Sequence, residues 1–201
     1  MTELIPLASL PASRLPALAN LHCATMPTLL TELGYPFVLR YYQIAQTDPS
    51  VIAFVATHHS EDALAGYCLG SPHPPALTAR LRSSLPWFAG QLMRLSLTRP
   101  FALCQLAQSV FSASPVNALR PGQIELTYIG VAPHARQRGL GKTLLTTFLE
   151  ASQNAGYTSV ILSVETENLP ALALYQHFGF AITQTFTEGR YHRHRMERLL
   201  A

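Results

Sequence analysis

Residues 136–143 read Arg-Gln-Arg-Gly-Leu-Gly-Lys-Thr, and two glycines beside basic side chains could grip phosphate. A triphosphate loop needs Gly-x-x-x-x-Gly-Lys-Ser/Thr, because its first glycine lets the backbone fold tightly around the phosphates. Counting back from Gly141, that position holds Arg136, and the acidic magnesium partner would have to be Glu165. The residue types therefore argue against a nucleoside triphosphate. They keep an anion site: helix-start amides lack partners, and the positive end of the helix dipole faces them. Gly139 and Gly141 admit close backbone approach, while Arg136, Arg138 and Lys142 add charge without a metal. A pyrophosphate that is held and not cleaved suits this chemistry.

Other candidates lie on either side. Glu125 is the only carboxylate between Asp62 and Glu150, which makes it a candidate general base; strand alternation places it on one face with Thr127 and Ile129. Tyr175 falls on a helical stripe with Ala171, Leu174 and Phe178, where an aromatic packs as core. His192 and His194 alternate with Tyr191, Arg193 and Arg195, as a base or substrate ligand would, or as a half-exposed strand would. His58, His59 and His134 have no metal-ligand spacing, so no metal is expected. Cys23, Cys68 and Cys104 fit neither a disulfide framework nor a metal knuckle, and free thiols in a cytoplasmic protein are expected.

These residues need elements to position them. QIELTYIGV predicts a strand before the glycine turn. LGKTLLTTFLEASQNAG predicts a helix with Leu140, Leu144, Phe148 and Ala151 on one face and Gly156 ending it. YTSVILSVE predicts a strand covered on both faces. Asn168 caps a short helix closed by Gly179, and FAITQTF and YHRHRMERLL predict two last strands. The N-terminal third reads helix, helix, strand, strand, with Thr31 capping the second helix. Residues 72–122, proline-broken and apolar in pieces such as FALCQLAQSVF, predict a helical excursion. It could cap the core, form a lid over a substrate site, or touch a membrane surface.

A chain of 201 residues at 48% hydrophobic content can bury one good core, so 1–201 is expected to form a single domain. No run of about 18 apolar residues marks a membrane span, and MTELIPLASL does not read as a secretory signal. The net charge of +3 is uneven: residues 63–149 carry seven arginines and Lys142 against Glu125 alone. That asymmetry favours an anionic ligand or partner. Nucleic acid is not expected, since basic and aromatic residues do not interleave.

The stretch LTYIGVAPHARQRGLGKTLL, with its core Arg136-x-x-Gly139-x-Gly141, resembles the acetyl-CoA motif of the GNAT superfamily of N-acetyltransferases. NLPALALYQHFGF, with Asn168, Ala171, Tyr175 and Gly179-Phe180, resembles that superfamily's second motif. The likeness covers 123–200 well, the first 70 residues more loosely, and 72–122 not at all. It implies an α+β (mixed α/β) fold, a twisted sheet of about seven strands with flanking helices. The sheet would be splayed so that acetyl-CoA enters between two parallel strands. Ile129, Gly130 and Val131 would pair with the pantetheine arm. Backbone amides of Arg136, Gln137, Arg138, Gly139, Leu140, Gly141 and Lys142 would hold the pyrophosphate, and Asn168 would line the other side. The implied reaction is direct acetyl transfer to a primary amine of a small molecule, such as an amino sugar, or of a protein, with Glu125 as base and Tyr175 as donor. Two copies could pair as a homodimer. A catalytically silent acyl-CoA-binding regulatory module is the alternative. One departure stands out: ribosomal-protein alanine acetyltransferases place a glutamate five residues before the asparagine, and here Ser163 occupies that position.

Overall fold

The computed structural model describes residues 2–58, 61–98, 119–188 and 191–200. Its strands are β1 (Thr2–Pro6), β2 (Ile52–His58), β3 (Glu61–Ser71), β4 (Gln123–Val131), β5 (Ser159–Glu165), β6 (Ala181–Glu188) and β7 (Tyr191–Leu199). They form one seven-stranded sheet in the order β1-β2-β3-β4-β5-β7-β6. Only β4 and β5 run parallel; every other neighbouring pair is antiparallel. This is the mixed, roughly seven-stranded sheet the sequence implied.

The helices are α1 (Leu15–Thr25), α2 (Leu29–Leu33), α3 (Tyr35–Gln46), α4 (Pro74–Ala79), α5 (Leu85–Thr98), α6 (Leu140–Asn154) and α7 (Leu169–His177). On one face of the sheet, α1 to α5 bury Leu18, Phe37, Tyr41, Tyr42 and Leu95 against Tyr67 and Leu69. On the other, α6 and α7 bury Leu144, Leu145, Phe148, Leu172 and Tyr175 against Ile124, Leu126, Val160 and Leu162. The described part of the excursion is therefore helical and lies between β3 and β4, whereas FALCQLAQSVF and Cys104 lie outside the described residues.

Three sequence expectations need correction. A strand, β1, precedes the first helix and pairs antiparallel with β2. Thr28 caps α2, its Oγ1 accepting from Thr31 N–H at 3.4 Å; the Thr31 hydroxyl instead donates to Met26 O at 2.6 Å. Gly34, at φ +101°, then breaks the expected single helix into α2 and α3. Lastly, β5 is covered on both faces only over its first half, where Ser159 and Ile161 are buried on the face opposite Val160 and Leu162. Val160, Leu162 and Val164 enter the core, while Ser163 and Glu165 on the opposite face are half-buried.

Two irregularities in β4 shape the site. Its partner Leu69 faces Tyr128 and the next residue, Gly70, faces Leu126, so Thr127 is an inserted bulge residue. A bulge reverses the alternation beyond it. Ile124 and Leu126 before it, and Ile129 and Val131 after it, all join the core under α6 and α7. Glu125 thus shares its face with Tyr128, which packs with the α1–α5 core, and not with Ile129 as plain alternation suggested. Secondly, β4 pairs with β5 only from Gln123↔Ser159 to Leu126↔Leu162. Beyond that point β4 follows β3 as far as Val131↔Gly66, and β5 follows β7 as far as Glu165↔Arg193. A gap opens between the two parallel strands.

Candidate active site

Among the described residues, the main chain lining the gap has no strand partner across it beyond Leu126 and Leu162. Ala132 N–H donates to Ala65 O on β3 at 2.9 Å. Peptide groups alternate along a strand, so those of Gly130 point to β3 and those of Ile129 and Val131 point into the gap. Gly130 has a packing reason to be glycine: a Cβ there would lie 2.6 Å from Tyr67 Cε1 and 2.7 Å from Thr25 Oγ1. The Val131 carbonyl accepts from Arg136 Nε at 3.2 Å. Arg136 thereby folds back onto the strand and ties the turn to it.

After Val131 come a short 3-10 turn, Pro133–Ala135, and a backbone that reaches α6 through two left-handed residues, Gln137 at φ 61° and Gly139 at φ 79°. Thr143 N–H is the first amide of α6 to find a backbone acceptor, Gly139 O at 3.1 Å. Among the described residues, the amides of Gln137, Arg138, Gly139, Leu140, Gly141 and Lys142 have no acceptor. The side chains of Gln137, Arg138 and Lys142 are exposed. Such a run of aligned donors at a positive helix end suits a diphosphate. A Cβ on Gly141 would come no nearer than 3.8 Å to Val131 Cγ2 and 3.9 Å to Leu174 Cδ2. The turn, the end of β4 and α7 therefore converge around the gap.

Across the gap, Asn168 caps α7, its Oδ1 accepting from Ala171 N–H at 3.3 Å. One turn into the helix is Leu174, and beside it Tyr175 is 7% exposed with its ring edge-on to Phe180 at 5.8 Å. Tyr175 therefore packs as a core residue. Its hydroxyl nevertheless makes no hydrogen bond among the described residues. Burial pushes its pKa up to about 12, since a phenolate would be poorly solvated there. The ring packs in the core while its hydroxyl stays a protonated donor with no partner among the described residues.

On the opposite face of the sheet, Glu125 is clamped. Arg195 Nη2 donates to Glu125 Oε2 at 3.1 Å and Arg195 Nη1 donates to Ser163 Oγ at 3.0 Å. Arg195 is 8% exposed. Its guanidinium thus spans from β7 to β4 and β5 where those two strands part. The buried ring of Tyr41 and the half-buried ring of Tyr128, 5.6 Å apart, back the same corner, and the Glu125 charge helps raise the Tyr41 pKa, after burial and Tyr128. Farther along β7, the Arg193 guanidinium lies 5.2 Å from the Tyr191 ring centroid, and the Tyr191 hydroxyl donates to Glu32 Oε1 on α2 at 3.3 Å. Arg195 and Ser163 were missed as site residues. The alternation Tyr191, Arg193, Arg195 is visible in the sequence, but the partner carboxylate lies 70 residues away.

The structure does not bring His192 and His194 to Glu125. They share a face with buried Met196, and their Nδ1 atoms lie 3.1 Å from Thr187 Oγ1 and 2.8 Å from Thr185 Oγ1 on β6. Glu125 and Tyr175 occupy opposite faces, joined by the gap between β4 and β5.

Residues 15–180 match the model of a family described as Acetyltransferase (GNAT) family. The chain is 38% identical over 78 residues to mouse N-acetyltransferase family 8 member 3, covering 37% of this chain and 34% of that protein. It is 40% identical over 95 residues to the mycothiol acetyltransferase of Renibacterium salmoninarum, covering 47% and 28% respectively. The matches thus span about a third or less of these curated relatives. The fold is similar to that of the ribosomal-protein-S18-alanine N-acetyltransferase of Escherichia coli, with TM-score 0.62, 16% identity and coverage of 100% of this chain and 95% of that one. It is also similar to an N-acetyltransferase of Staphylococcus aureus Mu50, with TM-score 0.64, 14% identity and coverage of 100% and 99%.

Proposed function

The chain belongs to the GNAT acetyltransferase family, and from that premise we propose that it transfers the acetyl group of acetyl-CoA to a primary amine by direct attack. The acceptor is a small molecule, such as an amino sugar, or a protein amine. The observation that carries this reading is the parting of β4 from β5 beside the acceptorless amides of residues 137–142. The residues present fit acetyl-CoA: the amides and Lys142 suit its pyrophosphate, the peptide groups of Ile129 and the N–H of Val131 suit its pantetheine amides, and Asn168 begins the opposite wall. Acetyl-CoA supplies the activated acetyl group.

The chain's own residues divide the remaining work by face. On the acceptor side, Glu125 presents a fixed negative charge to an incoming ammonium and is within the polar corner where its proton must leave, to the carboxylate or to water beside it. Backbone donors of the opened β4 can stabilise developing negative charge on the acyl oxygen. On the cofactor side, Tyr175 offers its hydroxyl to the departing thiolate. A phenol at about 12 gives its proton to a thiolate of ordinary basicity only uphill, by roughly 5 kcal/mol. Tyr175 therefore stabilises the thiolate by hydrogen bonding, and solvent completes protonation.

The test is thiol release from acetyl-CoA with a panel of primary amines: an amino sugar, a diamine and a peptide with a free N-terminus. Tyr175→Phe is expected to lower kcat roughly 10- to 100-fold with acetyl-CoA affinity unchanged by calorimetry. Equal turnover would remove Tyr175 from the reaction. Tight acetyl-CoA binding with no release for any amine would instead support the silent binding module.

A further inference from the structure

The corner beside Glu125 holds more hydrogen-bond donors than its own residues use. Ser163 is the first residue of β5 beyond the last pair with β4, Leu126↔Leu162, and lies on the face opposite Leu162 and Val164, which enter the α6–α7 core. Its Oγ accepts from Arg195 Nη1 at 3.0 Å, and its own O–H has no acceptor among the described residues. A guanidinium carries five N–H groups. Arg195 spends one on Ser163 and one on Glu125. Its Nε–H and one N–H on each terminal nitrogen find no acceptor among the described residues. These donors are nearly enclosed, since the Arg195 side chain keeps only 10% of its surface and that of Glu125 17%. Donors of a charged group left unused at such depth cost stability until a ligand oxygen meets them.

Resting on the acetyl-transfer reading and narrowing its acceptor, we propose that the acceptor amine carries an anionic oxygen group, a carboxylate or a phosphate, within a few bonds of its nitrogen. Arg195 and the Ser163 hydroxyl bind that group. Charge favours this class over an uncharged amino compound. The guanidinium stands 3.1 Å from the carboxylate that receives the ammonium, so it repels the cation that Glu125 attracts. An acceptor with its own negative charge removes the conflict: its ammonium turns to Glu125 and its anion to Arg195. A diamine would bring a second positive charge to the same corner. The fork of a guanidinium also matches the paired oxygens of a carboxylate or phosphate. The acids farther along this face each stand beside a cation or a donor. Glu165 lies opposite Arg193 in the β5–β7 register, and Glu32 accepts from the Tyr191 hydroxyl at 3.3 Å.

Two matched pairs of amines test this: β-alanine against β-alaninamide, and phosphoethanolamine against ethanolamine. Calorimetry measures their binding to the full chain saturated with CoA, and thiol release measures kcat/KM with acetyl-CoA at equal concentrations of free amine. The anionic member of at least one pair is expected to bind roughly tenfold tighter than the neutral one, and the pair that shows it tells carboxylate from phosphate. Ser163→Ala should cut that preference severalfold, and Arg195→Met should abolish it. With the neutral member Arg195→Met acts only through Glu125, so the ratio between the two members separates anion binding from positioning. Equal or weaker binding of the anionic member in both pairs overturns the proposal. So does a preference that neither Ser163→Ala nor Arg195→Met changes. Preferential binding without thiol release would leave the anion site standing and sink the acetyl-transfer reading, whereas thiol release without preference would do the reverse.

Discussion

Glu125 works, on this geometry, as half of a pair. Arg195 holds one of its oxygens at 3.1 Å and reaches Ser163 with its other terminal nitrogen, so the carboxylate's position depends on a strand 70 residues downstream. If Arg195 acts through Glu125, their contributions to catalysis cannot add. Glu125→Gln and Arg195→Met should each lower kcat/KM for the amine, by roughly 100-fold for the former if it takes or relays the proton. The double variant should be little worse than the poorer single, and the shortfall measures a coupling of about 0.5–3 kcal/mol. Acetyl-CoA affinity should stay level throughout. Additive losses would make Arg195 an independent residue. The rate–pH profile separates the roles of Glu125 itself: as proton acceptor, its replacement by glutamine lowers the rate most where the amine is still protonated and leaves a steeper rise towards alkaline pH, where free amine needs no acceptor. An unchanged profile would leave water as the acceptor and Glu125 as a holder of the ammonium.

At the scale of elements, local chemistry was readable and pairing was not. The glycine turn, the Asn168 cap and the span of α6 follow from residue types that act within one or two turns of chain. The bulge at Thr127 depends on β3 as much as on β4, so a single strand's alternation put Glu125 on the wrong face. The Thr28 cap was missed because Gly34 interrupts what reads as one helical stretch, and β1 because TELIP becomes a strand only beside β2. Arg195 bonds two residues, 32 and 70 positions away, which no local pattern encodes. Gly70 shows how tightly the bulge is built in. A Cβ there would stand 2.3 Å from Phe148 Cζ and 2.7 Å from Glu125 O, and Phe148 is fully buried. Gly70→Ala should therefore destabilise the fold by about 1–3 kcal/mol in denaturant unfolding. Adding Phe148→Leu should recover part of that loss by removing the ring. No recovery would place the strain in the β4 backbone rather than in the ring.

The sheet divides the whole molecule into two cores, and the α1–α5 side encloses an ionisable group that the proposed chemistry does not use. His22 is 0% exposed, with Nδ1 2.9 Å from the Tyr42 hydroxyl and its ring packed against Tyr67 and Tyr128 at 5.8 and 4.7 Å. Its Nε2 has no partner among the described residues, and burial lowers its pKa from 6.5 to about 4. The consequence for stability has a definite sign. Above pH 6.5 the imidazole is neutral in both folded and unfolded chains, and His22 adds no pH dependence. Between 6.5 and 4 the unfolded chain takes up a proton that the folded one refuses, so stability falls as the solution is acidified. Below about 4 the folded state is protonated too and the slope ends. Over that window the loss approaches roughly 3 kcal/mol, a large part of the ~5–15 kcal/mol that holds a typical domain folded. His22→Phe keeps an aromatic ring in the cluster and removes the titration, at the cost of leaving the Tyr42 hydroxyl short of its partner. The variant should start less stable at neutral pH and lose less on acidification. Subtracting its unfolding free energy from that of wild type, pH by pH, cancels the carboxylates common to both. A difference that declines from pH 6.5 to 4 and then levels assigns the acid sensitivity to His22; a flat difference would assign it elsewhere.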